Sequence, residues 1–68
     1  MLALETLPEL CARVRRLLDR ETAARRHELR LAHGPAFAWL MAHEAGYRLL
    51  PGCRGDLVEL LKVIRAGR

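Results

Sequence analysis

The sequence predicts an all-α protein in which one long N-terminal helix has two shorter helices packed back on it. Apolar residues recur at helical spacing through most of the chain. Residues that favour helix starts and helix ends bracket each of these stretches, and no stretch alternates as a strand would. The 68 residues have no room for a second core. Residues 1–68 are therefore interpreted as a single helical domain.

The first helix is predicted over about residues 7–33. Thr6 and Glu9 have the spacing of a capping box, in which each side chain accepts a hydrogen bond from the other residue's backbone N–H. At the far end, Gly34 suits the left-handed position after a helix, and Pro35 cannot continue one. These signals predict where the long helix begins and ends.

This long helix is expected to have two chemically different faces. An apolar stripe in its first half comprises Leu7, Leu10, Cys11, Val14, Leu17 and Leu18. Arginines occupy the opposite face, and those expected to meet a partner are Arg13, Arg16, Arg20, Arg26 and Arg30. Charged residues interrupt the apolar stripe from Glu21 to Glu28 before it resumes at Leu29. The interruption fits either a solvated overhang or a contact with a partner.

The second helix, predicted over about residues 35–45, is apolar on nearly every side. Only His43 and Glu44 are polar, and Gly46 follows its end. A helix that is apolar all round is buried on more than one side. Three helices in one chain cannot easily bury it so fully, so the composition of this helix predicts a second copy of the chain.

The third helix is predicted over about residues 57–66, after a connector over residues 47–55. Asp56 is expected to cap it, Glu59 three residues later completes a box-like start, and Gly67 ends it. Its expected buried stripe comprises Leu57, Leu60, Leu61 and Ile64. This stripe is the surface that would pack against the first helix.

The net charge of +4 is concentrated on the first helix. Seven arginines and three acidic residues lie between residues 13 and 30, which leaves +4, and the charges elsewhere cancel. A basic helix face is the electrostatic footprint of nucleic-acid binding. However, the third helix offers apolar side chains where a recognition helix would present polar ones, and the connector is too long for a helix-turn-helix. Nucleic acid therefore stays the alternative partner of the arginine face.

No catalytic, metal or cofactor site is predicted. The chain has no serine, and its hydroxyl groups belong to Thr6, Thr22 and Tyr47. No two histidines have the i, i+3 or i+4 spacing common in zinc sites, and the glycines occur singly. We expect a non-enzyme without a cofactor, a metal or a small-molecule substrate.

The cysteines and the N-terminus bear on compartment. Cys11 lies on the apolar stripe and is expected in the core, whereas Cys53 lies in a Gly-Pro-rich connector and is expected to be exposed. A bridge between them is left open. Residues 1–4 are too short for a signal peptide, and no apolar run reaches membrane-spanning length. A cytoplasmic protein without membrane attachment is the expectation.

The sequence thus predicts a small protein–protein interaction module, such as an adaptor, co-chaperone or inhibitor that regulates a larger protein. A chain of this size buries only about 60% of its unfolded surface, so a homodimer is expected to add stability. The residues expected at the dimer or partner contact are Phe37, Trp39, Leu40, Met41, Tyr47, Leu10, Val14 and Leu17. The arginine face would then meet an acidic surface of the larger protein. The alternative is a basic nucleic-acid-binding regulator that uses the same face.

Overall fold

The computed structural model describes residues 5–67, and this part of the chain is built from helices joined by short connections. The elements in chain order are α1 (Leu7–Asp19), α2 (Ala23–Ala32), α3 (Gly34–Glu44), a 3-10 helix (Pro51–Cys53) and α4 (Arg54–Ala66). No strand occurs within residues 5–67. The predicted all-α class is confirmed for this range.

The prediction of one helix over about residues 7–33 is wrong, because the chain leaves the helical conformation at residues 20–22. Thr22 has an extended backbone, with φ −67° and ψ 158°. Its hydroxyl accepts a hydrogen bond from the backbone N–H of Arg25 at 3.1 Å. A threonine in this arrangement caps the start of a new helix. The charged interruption of the apolar stripe is therefore the place where α1 ends and α2 begins.

The start of α1 is as predicted. The hydroxyl of Thr6 accepts from the backbone N–H of Glu9 at 3.3 Å, and Oε1 of Glu9 accepts from the backbone N–H of Thr6 at 3.1 Å. Hydrogen bonds from Thr6 also hold the pKa of Glu9 below its ordinary value. The apolar stripe that follows buries Leu10, Cys11, Val14 and Leu18.

The two glycines beside α3 behave differently. Gly46 has φ 94° and follows the helix, as predicted. Gly34 was expected in the left-handed conformation, but it is the first residue of α3 and its φ is not positive. His33 instead separates α2 from α3, with φ −128° and ψ 46°. The predicted second helix, about 35–45, is thus displaced by a single residue at each end.

The predicted start of the last helix, near residue 57, is too late. The 3-10 helix runs directly into α4, which begins at Arg54. Asp56 does not provide a side-chain cap but lies in the first turn, where negative charge is favoured by the helix dipole. Its Oδ2 accepts a hydrogen bond from the indole N–H of Trp39 at 3.0 Å. This bond ties α4 to α3.

The core lies where α4 packs against α1 and α3. Its members are Leu10, Cys11, Val14, Leu18, Leu29, Ala36, Phe37, Leu40, Cys53, Leu57, Leu60, Leu61 and Ile64. Helix α3 contacts all three other helices of the same chain. The break at residues 20–22 supplies the additional wall, so the apolar composition of α3 no longer requires a second copy. The homodimer stays an untested prediction.

Within residues 5–67, none of the helices combines the length and the apolar character that crossing a bilayer demands.

Candidate functional site

Half of the predicted apolar contact residues lie inside the chain's own core. The fully buried ones are Leu10, Val14, Phe37 and Leu40. Leu17 and Trp39 are half-buried, and the indole of Trp39 is hydrogen-bonded to Asp56. Met41 and Tyr47 are exposed, at 58% and 70% of their surface. Only these last two residues present most of their apolar surface to a possible partner.

The helix break divides the predicted arginine face between two separate grooves. The α1/α4 groove has a volume of about 350 Å³ and is lined by Arg13, Arg16, Leu17, Arg20 and Arg65. The α2/α3 groove has a volume of about 220 Å³ and is lined by Arg15, Ala23, Arg26, His27, Arg30, Phe37 and Met41. The five predicted arginines therefore do not act as one surface.

In the α2/α3 groove, arginine side chains serve the fold itself. The guanidinium group of Arg26 donates to the carbonyl oxygens of Leu18 at 3.3 Å and Glu21 at 2.5 Å. These bonds tie α2 to the carbonyl groups where α1 ends, and the Leu18 carbonyl also accepts from the backbone N–H of Glu21 at 3.0 Å. The guanidinium carbon of Arg30 lies 5.8 Å from the ring centroid of Phe37, within the range of a cation–π contact.

Arg15, at the edge of the same groove, joins α1 to α3. Its Nε and Nη2 donate to the two carboxylate oxygens of Glu44 at 2.6 and 2.8 Å, a bidentate pair. Arg15 also lies 3.8 Å from Asp19. The hydrogen bonds from Arg15 hold the pKa of Glu44 below its ordinary value. This guanidinium group is therefore already neutralised within the chain.

The arginines of the α1/α4 groove are in a different situation. Arg13 lies 3.0 Å from Glu5. The side chains of Arg16, Arg20 and Arg65 are exposed, and none of them makes an ion pair or a hydrogen bond with another residue of the 5–67 range. Of the four guanidinium groups that line the groove, one is thus paired with a carboxylate and three have no ion pair within residues 5–67. Such a concentration of one sign of charge attracts anionic groups.

Sequence reasoning missed Arg65. It lies in the last turn of α4, a helix that does not belong to the basic segment of the sequence. Only the packing of α4 on α1 brings it beside Arg16 and Arg20. Helical spacing in the sequence predicts that Arg16 and Arg20 lie on one face of α1, but no local pattern predicts that Arg65 of α4 lies beside them.

The cysteines do not form a surface site. Cys11 is in the core as predicted, but the prediction of an exposed Cys53 is wrong, because the 3-10 helix turns this side chain inward and leaves it 1% exposed. Both thiols are free, and burial raises the pKa of each. Among residues 5–67, no three histidine, cysteine or acidic side chains are grouped so that they could hold a metal ion.

A scan of protein-family models and searches of curated proteins and of solved structures found no match to this chain. What the chain does is therefore inferred from its own residues. The α1/α4 groove is the candidate site, since it offers several cationic groups that the described part of the chain leaves unpaired.

Proposed function

We propose that this protein is a small non-enzymatic interaction module that regulates a larger protein by binding an acidic patch on its surface. The observation that supports this most strongly is the α1/α4 groove, in which Arg16, Arg20 and Arg65 have no ion-pair partner within residues 5–67. Guanidinium groups bind carboxylates in a bidentate geometry that favours specific recognition. The groove is therefore suited to carboxylates supplied by another protein.

The apolar side chain in the groove favours a protein partner over a nucleic acid. Leu17 lies among the arginines and is half-buried, and protein interfaces combine apolar contacts at the centre with arginine. Single-stranded nucleic acid is bound by exposed aromatic side chains on which bases stack. Phe37 is buried here, Trp39 is half-buried and bonded to Asp56, and the exposed Tyr47 does not line the groove.

A basic nucleic-acid-binding regulator is the second candidate, because the unpaired arginines of the same groove also suit phosphate groups. Binding of this kind loses affinity steeply as the salt concentration rises and depends little on sequence. This second candidate would be favoured if the affinity for a random DNA duplex fell steeply as the salt concentration rose, and the affinity for an acidic protein did not.

We also propose a homodimer, whose contact residues would differ from those that the sequence predicts. Because half of the predicted contact residues are buried within one chain, apolar self-contact would use the exposed residues Leu31, Met41, Tyr47 and Leu50. The mass of one chain is 7.7 kDa. Absolute mass by light scattering at several concentrations, with reductant present, tests the homodimer. Twice this mass supports it, and the mass of one chain at every concentration rejects it.

Capture of the partner tests the main proposal. The tagged chain is incubated with a nuclease-treated lysate of cells that express it, beside two variants that each lose four units of charge. One variant, Arg16→Glu with Arg20→Glu, alters the α1/α4 groove. The control variant, Arg48→Glu with Arg54→Glu, alters arginines outside the groove that likewise make no ion pair within residues 5–67.

The proposal expects an acidic protein that the unaltered chain and the control variant retain and the groove variant loses. The same protein, purified, should reproduce this pattern in a direct binding measurement. Equal capture by both variants would contradict the proposal, as would a protein that is captured from an untreated lysate but not from the nuclease-treated one.

A further inference from the structure

We infer that the α1/α4 groove binds one face of an acidic amphipathic helix, with an apolar side chain of that helix seated against Leu17. This inference rests on the proposed function. It adds the secondary structure and the residue spacing of the partner segment, which an acidic patch in general does not specify.

The spacing of the arginines on α1 supports a helical partner. Arg13, Arg16 and Arg20 are at positions i, i+3 and i+7 of one helix. At 100° and 1.5 Å per residue they fall within an arc of about 60° and span about 10.5 Å along the axis. A second helix with carboxylates at i, i+3 or i+4, and i+7 has the same rise, so its acids can lie opposite all three arginines. Same-face residues of a strand repeat at about 6.6 Å, which fits the 3-then-4 spacing less well.

The dimensions of the groove support contact along one face. A helix with its side chains is about 10 Å across, so a groove of about 350 Å³ cannot enclose it and can contact only one of its faces. Leu17 is the apolar residue of the lining, and Arg65 on α4 provides the second wall. A partner helix lying along α1 would place one apolar side chain on Leu17. Its carboxylates would lie on either side, toward Arg16 and Arg65.

Within the chain, Glu5 already occupies one of the positions that a partner carboxylate would take. It lies 3.0 Å from Arg13, and both side chains are partly exposed, at 26% and 41%. A bound acidic helix would displace Glu5 from this arginine. Replacing the internal carboxylate by Glu5→Gln should therefore raise the affinity for an acidic helix by about twofold to fivefold, the size of an exposed ion pair.

Two peptides of identical composition test the inference by fluorescence anisotropy on the full chain. Each has about 18 residues so that it forms a helix, which circular dichroism verifies. The striped peptide carries glutamates at i, i+4 and i+7 with a leucine beside them, and the permuted peptide distributes the same residues around the helix. We expect the striped peptide to bind about tenfold more tightly, because it alone matches several guanidinium groups at once.

Two charge-reversal variants test whether the α1/α4 groove is responsible for the tighter binding of the striped peptide. The groove variant, Arg16→Glu with Arg20→Glu, should abolish it, whereas the control variant, Arg48→Glu with Arg54→Glu, should retain it. Thermal melts verify that each variant is folded, which is expected because Arg16 and Arg20 are exposed.

The outcomes separate the inference from the proposed function. If both peptides bind equally and the groove variant loses both, the helix inference is overturned while the acidic-patch proposal stands. If neither peptide binds and a random DNA duplex does, both are overturned. A preference for the striped peptide that survives in the groove variant also overturns the inference. An affinity that Glu5→Gln leaves unchanged contradicts the displacement of Glu5.

Discussion

Two grooves of this molecule are lined by arginines that, apart from Arg65, come from one basic segment of the sequence, yet their guanidinium groups have different roles. In the α2/α3 groove, Arg26 donates to backbone carbonyls and Arg30 lies over an aromatic ring. In the α1/α4 groove, Arg16, Arg20 and Arg65 have no such partner within residues 5–67. The number of arginines on a helix therefore does not identify a binding surface. A binding surface is identified by the number of arginines that have no ion pair or hydrogen bond within the fold.

The largest expected difference concerns the apolar residues beside the two grooves. Leu29 is the one residue of α2 that is fully buried, at 2% exposure, so Leu29→Ala should lower the free energy of unfolding by about 2–5 kcal/mol. Leu17 is half-buried, and Leu17→Ala should cost about 1 kcal/mol. Urea unfolding followed by circular dichroism measures both. Equal losses would show that Leu17 belongs to the core and is not available to a partner.

Substitution of one arginine from each groove should give a smaller difference in the free energy of unfolding. Arg26→Ala removes two hydrogen bonds, to the carbonyl oxygens of Leu18 and Glu21, and should cost about 1–3 kcal/mol. Arg16→Ala removes no ion pair and no hydrogen bond within residues 5–67 and should change the free energy of unfolding by no more than about 0.5 kcal/mol. Paired urea titrations give the comparison. A loss at Arg16 as large as that at Arg26 would mean that Arg16 has an intramolecular partner.

The smallest expected effect is the pH dependence of the Arg15–Glu44 pair. Because the folded pKa of Glu44 lies below its ordinary value of 4.5, the pair stabilises the fold above that pH. Its contribution is lost as the pH falls through the folded pKa. Both side chains are more than a third exposed, so Glu44→Gln should cost less than about 1 kcal/mol at neutral pH. Unfolding free energies at about pH 7 and pH 3 should differ less for Glu44→Gln than for the unaltered chain; an identical pH dependence would contradict the assignment.

Local periodicity predicted most of the fold. The apolar stripe of α4, Leu57, Leu60, Leu61 and Ile64, is buried in full, and the capping box of α1 forms as expected. The break before Thr22 was missed because no glycine or proline marks it. Its only signals were the charged interruption of the stripe and a threonine able to cap a helix.

The missed helix break before Thr22 also affected the prediction of a homodimer. If residues 7–33 form one helix, too few helices of the same chain pack against α3 to bury its apolar side chains. For that reason the sequence predicts a second chain. With α2 as a separate helix, Phe37 and Leu40 are covered within one chain.

The candidate site was predictable only on α1, where helical spacing places Arg13, Arg16 and Arg20 on one face. The position of Arg65 depends on how α4 packs on α1, a long-range arrangement that no local pattern encodes.

A titration of the ¹⁵N-labelled chain with the striped acidic peptide, followed by amide chemical shifts, shows directly whether the α1/α4 groove is the binding site. The chain is small enough for each amide to report separately. We expect the largest shift changes on residues 13–20, which are the second half of α1 and its C-cap, and on the last turns of α4, with little change in the α2/α3 groove. Shift changes centred on Arg26 and Arg30, or spread evenly over the surface, would contradict this expectation.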